Sequence, residues 1–436
     1  MIKSSFKLFL VLILYSLLVA CKSQKEYFEK VVIPRPATAS YEMAQVEPSI
    51  YINPSNPAEI IAGTVMDDYY YSLDSGKTWV SETIDCEFGV NGDPVMHIDK
   101  KGRYYYIHLS RKEDKIMDRI VCQYKDDISG DWETSFTKPD GKIHDKPWIT
   151  ECPKTGNLYM SWTRFDEYKS NDPADSSFIF FSKSTDRGEN WSTPIRISKH
   201  GGDCLDGNNT VEGAVPAVDN EGNVFVVWTG PHGTRMNFSQ DKGNTWWEEE
   251  ILIDKHHGWS YDVPGLFRCN GLPIVKVDNS KGENHGRVYV NWTDQRNGED
   301  DTDVFLIFSD DKGKTWSQVK KVNQDKEPAH QFFTWFDIDN DGDLYFVYYD
   351  RRKLENNETN VVLAHSADGA QSFDEYYLST TNFIPEKDYF FGDYTNISVH
   401  NGMIRPIWPE MNKGKISLFT SLVTKKELEK LKAIGD

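Results

Sequence analysis

One eight-residue phrase, Ser-x-Asp-x-Gly-x-Thr-Trp, recurs along this chain at intervals that few folds accommodate. Clean copies occupy residues 72–79, 239–246 and 309–316; the copy at 184–191 differs at Asn190, and a weaker one at 366–373 carries Ala370 in the glycine slot. Between the aspartates the spacings are 241 − 186 = 55, 311 − 241 = 70 and 368 − 311 = 57 residues. That period is too long for helical-hairpin repeats and suits four short strands. The interval from Asp74 to Asp186 is 112, two periods, which predicts a degenerate copy midway, and residues 126–132 supply it. The phrase reads as a hairpin turn: Asp accepts hydrogen bonds from nearby backbone N–H groups, Gly supplies a positive φ, and Trp packs beneath.

A second repeat runs between these phrases. In each unit a strand leads through a turn to another strand ending in an aromatic residue: 94–99 with 102–108, 147–150 with 156–162, and 216–219 with 222–228. The pattern continues at 274–278 with 286–292, 333–339 with 342–349 and 394–400 with 402–408, and residues 48–62 make a seventh copy. Together the two repeats predict an all-β chain folded as a seven-bladed β-propeller. The last unit lacks an outer strand, and Val31-Val32-Ile33 can supply it, closing the ring non-covalently and removing its open edge. The expected boundaries are a signal peptide at 1–20, a lipidated N-terminus and linker at 21–30, the propeller at 31–424 and a short C-terminal helix or tail at 425–436. Alternating Asp337, Asp339, Asp341 and Asp343 look like the start of a calcium loop, but its twelfth position, which needs a bidentate Glu, is Tyr348. Asp339 also aligns with Asp99 and Asp219, so the segment reads as an inner hairpin. No metal or cofactor is expected.

The eight-residue phrases are the Asp-boxes, or BNR repeats, of the sialidase-like propellers, which the chain resembles over roughly residues 45–425. The six blades of the sialidases are the alternative to seven. In that family three arginines clamp the substrate carboxylate, a Tyr activated by a Glu attacks, and an Asp is the general acid; the planar guanidinium fork suits a carboxylate. By position after the second strands, Arg164, Arg296 and Arg351 are the candidate substrate-binding residues. Asp93 or Asp145 is the candidate acid, and Tyr261 or Tyr389 the candidate nucleophile or base. Loops that begin the inner strands also carry Glu212, Arg268 and Asp393, so ionisable groups converge on one face. The family's Arg-Ile-Pro signature is missing: Ile33-Pro34-Arg35-Pro36 has the residues in another order. The arginines have a plainer reading too, as partners of neighbouring carboxylates such as Asp294 and Asp350.

The start of the chain carries Lys3 and Lys7 before an apolar run, 8–20, that ends Leu18-Val19-Ala20-Cys21. A basic start, a short apolar core and small residues before a cut make a secretory signal. Cys21 after Leu-Val-Ala looks like a bacterial lipobox, which implies lipidation at Cys21 and attachment to the outer membrane; a plain signal peptide is the alternative. The remaining cysteines, Cys86, Cys122, Cys152, Cys204 and Cys269, are odd in number and match no zinc spacing, so they read as buried thiols or one or two disulfides, with Cys204–Cys269 the first pair to test. The formal charge of −19 argues against nucleic acid as a partner. The resemblance implies a monomeric, cell-envelope carbohydrate-active protein cleaving an acidic oligo- or polysaccharide, as a sialidase-type glycoside hydrolase or a related polysaccharide-degrading enzyme. Because Asp-boxes also occur in propellers that only bind, a non-catalytic glycan- or protein-binding propeller is the second expectation.

Overall fold

The computed structural model describes residues 28–37, 45–112, 115–256 and 258–431. The expected leader and Cys21 lie outside the described residues. Seven four-stranded antiparallel sheets form the fold. Blade 1 is built of Ser49–Ile52, Ile60–Thr64, Asp68–Ser72 and Val80–Thr83, and blade 2 of Val95–Ile98, Tyr104–Lys112, Lys115–Lys125 and Glu133–Phe136. Blade 3 is Ile143–Glu151, Leu158–Phe165, Ser177–Ser184 and Ile195–Arg196; blade 4 is Glu212–Val218, Val224–Thr229, Thr234–Ser239 and Ile251–Asp254. Blade 5 is Ile274–Val277, Val288–Gly298, Asp301–Ser309 and Lys320–Lys321; blade 6 is Gln331–Ile338, Leu344–Asp350, Asn360–Ser366 and Asp374–Tyr377. Blade 7 combines Asn396–His400, Met403–Asn412 and Lys415–Thr424 with Glu29–Ile33 from the start of the chain. In that closure Val31 pairs with Thr420 and Ile33 with Leu418, so the edge of the last blade is covered. The architecture is the seven-bladed one, and the six-bladed alternative is set aside.

The repeats work as the sequence predicts. In blade 4, Asp241 accepts from Ser239 Oγ (2.8 Å), Thr245 N (2.8 Å) and Thr245 Oγ1 (2.7 Å), while Gly243 N donates to Ser239 Oγ (2.9 Å). The box of blade 1 joins the turn beyond its inner strand through Ser75 N to Ala58 O, so the boxes and the inner hairpin turns share one face. We call it the lower face, and the face where the inner strands begin the upper face. Trp162, Trp228, Trp292 and Trp408, with Tyr348, occupy one equivalent second-strand position and are fully buried between blades. The turn at Asp339 is the ordinary hairpin: Asp339 accepts from the N–H groups of Asp341 and Asp343, and Lys425 Nζ lies 3.4, 2.9 and 2.9 Å from Asp339, Asp341 and Asp343. Lys425 opens the short helix Lys425–Leu428, capped by Thr424. All five described cysteines are free thiols, so the Cys204–Cys269 bridge is not formed. Among the described residues no helix is long and apolar enough to cross a membrane.

Candidate functional site

Strand register identifies equivalent positions around the axis. Ser49, Val95, Trp148, Val215, Ile274, Trp335 and Asn396 each face the same rung of their second strands. Two residues earlier stand Glu47, Asp93, Lys146, Gly213, Leu272, Phe333 and Tyr394. Glu47, Asp93, Lys146 and Phe333 adopt left-handed φ of 52, 51, 48 and 53°, and Gly213 has φ 75°. The pairing slips at this point in blades 3, 4 and 6, as a bulge would make it. A left-handed L-residue costs about 1–2 kcal/mol, so the repeated bulge persists because packing imposes it. Its effect is to aim three charged side chains, from blades 1 to 3, into one group on the upper face.

Asp393 is the hub of that group. Arg268 meets it with two bonds, Nε to Oδ1 at 2.7 Å and Nη2 to Oδ2 at 2.5 Å, and Lys146 Nζ lies 3.0 Å from Oδ2. Arg268 also lies 3.9 Å from Glu47 and 4.0 Å from Asp206, whose other neighbour is the Tyr168 hydroxyl at 2.7 Å. Burial by itself would raise Asp393, but Lys146 and Arg268 hold its carboxyl well below the usual range. The other acids go the opposite way. Burial, then Asp93 and Asp393, raise Glu47; burial raises Asp145 against the pull of Lys146, with Asp93 and Glu212 adding to the rise. Burial pushes the fully enclosed Glu212 up to about 8, against the pull of Lys146 and the neighbouring Thr163 hydroxyl. One carboxyl is held low while burial raises Glu47, Asp145 and Glu212 around it, the arrangement from which acid–base chemistry is made.

Residues 156–401 match the family described as the BNR repeat-like domain. The chain belongs to that family. No curated protein matches its sequence. Among solved structures, a polysaccharide lyase, an ulvan lyase bound to an oligosaccharide of glucuronic acid and sulfated rhamnose, is similar at TM-score 0.50 and 12% identity, covering 89% of this chain and 96% of that one. A Dyadobacter fermentans protein of unknown function aligns at TM-score 0.47 and 14% identity (91% and 98% of the two chains). The NanB sialidase of Streptococcus pneumoniae aligns at TM-score 0.48 and 11% identity (85% and 84%). At such identities the likeness is one of fold.

Within this BNR propeller the residues singled out from the sequence are placed unevenly. Asp93 and Asp145 fall in the charged cluster, neighbours of one another. The three arginines share no partner. Arg164 pairs with Asp140 (2.8 Å) and Asp166 (3.4 Å) over the Phe180 ring; Arg296 pairs with Asp294 (2.5 Å) and Asp254 (3.0 Å) over Phe305. Arg351 donates to Thr359 Oγ1 (3.0 Å) and Pro264 O (2.6 Å), and burial lowers it to about 10. The Tyr261 hydroxyl donates to Asn270 O (2.9 Å) and meets Thr293, and Tyr389 packs against Gly414. Two other tyrosines stand in the cluster: Tyr168, on Asp206 and near Asp145, and Tyr394, whose neighbours include Asp93, Glu47 and Lys146. Lys146, Arg268, Glu47 and Asp206 complete the group; Glu47 and Lys146 share the offset of Asp93, whereas Asp206 and Arg268 come from the longer loops ahead of Glu212–Val218 and Ile274–Val277.

Arg268 arrives on a loop between blades 4 and 5 that crosses the upper face. A two-stranded ribbon, Ser260–Tyr261 with Cys269–Asn270, stiffens this loop, and Asn208 Oδ1 (from Trp259 N, 2.9 Å) and Asp393 O (from Asn270 Nδ2, 2.9 Å) pin it. The Arg268 side chain is 38% exposed, whereas Asp145 is 6% exposed. The loop thus leaves one cation at the surface above buried acids. Beneath the cluster Trp148, Trp335 and Tyr394 stack across the axis, with centroids 4.2 Å apart for the tryptophans and 5.4 Å for Trp148 and Tyr394. They separate it from a larger cavity, about 690 Å³, on the lower side.

Proposed function

We propose that this chain is a cell-envelope, carbohydrate-active propeller that cleaves an acidic glycan at the upper-face cluster, as a sialidase-type glycoside hydrolase or a related polysaccharide-degrading enzyme in a polysaccharide-utilisation system, tethered to the outer membrane through Cys21. The observation that carries the reading is the surface-facing guanidinium of Arg268 on an ionised Asp393, beside Glu47 and in one cluster with Asp145, two carboxyls that burial raises. A uronate or sialate carboxylate has the geometry to take the place of Asp393 on Arg268. Asp145 is then the acid that protonates the departing sugar oxygen, with the Asp93 side chain beside it. Because Asp145 is nearly enclosed, the 259–271 loop must shift to admit substrate. Arg268 and Lys146 replace the arginine clamp expected of Arg164, Arg296 and Arg351, and Tyr168 and Tyr394 replace Tyr261 and Tyr389 as the tyrosines beside the acids.

A panel of uronate- and sialate-containing oligosaccharides tests this. Turnover that falls at least about a hundredfold in Asp145→Asn and Arg268→Ala, with unchanged unfolding temperature, supports the enzyme; product formation unaltered by either substitution defeats it. The near-closure of the cluster favours a second reading, a non-catalytic glycan- or protein-binding propeller. Saturable binding to the same panel, sensitive to Arg268→Ala but without product, assigns that role.

A further inference from the structure

A cavity of small-molecule size lies away from the charged cluster. It is the lower half of the axial channel, open on the Asp-box face, and its volume of about 690 Å³ is that of a small-molecule site, for which about 300–1,000 Å³ is usual. Trp148 and Trp335 form its floor. The third residue of each inner-strand rung faces the channel, which lines the wall with Tyr51, His97, Thr150, Lys276, Asp337 and Ser398. His97 is 3% exposed, yet its Nε2 has no hydrogen-bond partner among the described residues, and the Glu151 carboxylate is 3.6 Å away. Asn279 Oδ1 at the same cavity is likewise unpartnered. Buried polar atoms left this way cost about 1–3 kcal/mol each unless something solvates them.

Acids outnumber cations on the channel lining: Lys276 is neutralised by Asp337 at 3.0 Å, Lys281 stands against Glu151, Asp339 and Asp341, and after burial the largest influences raising Tyr51 are Asp337, Glu151 and Asp99. Such a pocket excludes acidic sugars and favours a cation that can also lie on an aromatic floor. We propose that the lower-face channel is a second ligand site, taking an amine-bearing sugar of one or two rings, with the ring over Trp148 and Trp335 and the ammonium toward Glu151. It is independent of the upper-face reading, since the Trp148–Trp335–Tyr394 stack separates the two.

The test uses the disaccharide of glucosamine as probe, with cellobiose and a glucuronate disaccharide beside it, read by tryptophan fluorescence and calorimetry on the full chain. The expected result is saturable binding of the glucosamine dimer, about tenfold weaker in Glu151→Gln and lost in Thr150→Trp, which fills the channel from its wall. Absence of binding, stronger binding of the glucuronate dimer, or wild-type affinity in Glu151→Gln overturns the proposal. So does wild-type affinity in a Thr150→Trp protein that unfolds at the wild-type temperature; if that variant does not fold, Glu151→Gln decides.

Discussion

Replacing Glu212 by glutamine tests the central electrostatic argument, because the two side chains have one shape and only one of them titrates. Glu212 is fully buried, and burial raises its carboxyl from 4.5 to about 8. Below about pH 4.5 the group is protonated in folded and unfolded chains alike, so its contribution to stability is fully present. From there to about 8 the folded chain keeps a proton that the unfolded chain has released, and each rise in pH favours unfolding. A tenfold change in proton affinity is about 1.4 kcal/mol, so the loss across this window is about 5 kcal/mol, and about 3 kcal/mol of it has occurred by pH 7. The amide of the Glu212→Gln variant cannot ionise, so that protein lacks the slope. Urea denaturation of both proteins at about pH 5 and about pH 8.5 measures it: wild type minus variant should fall by several kcal/mol as pH rises. A difference constant within about 1 kcal/mol would show that Glu212 titrates like a solvated carboxyl and would refute the account of the cluster.

Asp241→Ala removes the acceptor of the blade 4 box and should cost about 1–3 kcal/mol, read as a lowered urea midpoint; an unchanged midpoint would show that the turn does not depend on its Asp. Trp292→Ala, at a fully buried position between blades, should cost about 3–5 kcal/mol by the same measurement. Arg164→Ala, Arg296→Ala and Arg351→Ala should each keep turnover of an acidic glycan within about threefold where Arg268→Ala abolishes it, since the first three hold other partners; a loss at Arg296 equal to that at Arg268 would restore the arginine clamp.

Asp93 and Asp145 were legible as upper-face residues because each lies in a loop that begins an inner strand, where a propeller chain must turn toward the axis. Lys146 was not, although it adjoins Asp145: a lysine within a turn reads as solvated, and only the bulge that gives it φ 48° sends the ammonium inward to Asp393. Arg268 was visible as an ionisable loop residue, but its partner lies 125 positions away, and no local pattern links them. The arginines stand apart from one another: Asp140 and Asp166 hold Arg164, Asp254 and Asp294 hold Arg296, and Arg351 donates to Thr359 and the Pro264 carbonyl.

By itself the sequence determined what depends on neighbours along the chain. The box turns, the strand pairs and their period require only residues within a blade, so seven units and a borrowed closing strand follow from counting, and Glu29–Ile33 pairs where that count leaves a gap. The tertiary structure decided which charges meet. Closing the ring brings the starts of the inner strands together on the axis, and burial there raises Glu47, Asp145 and Glu212 while two cations hold Asp393 ionised. Turns are local, whereas electrostatic energy depends on distance and desolvation, which exist only once the ring is closed.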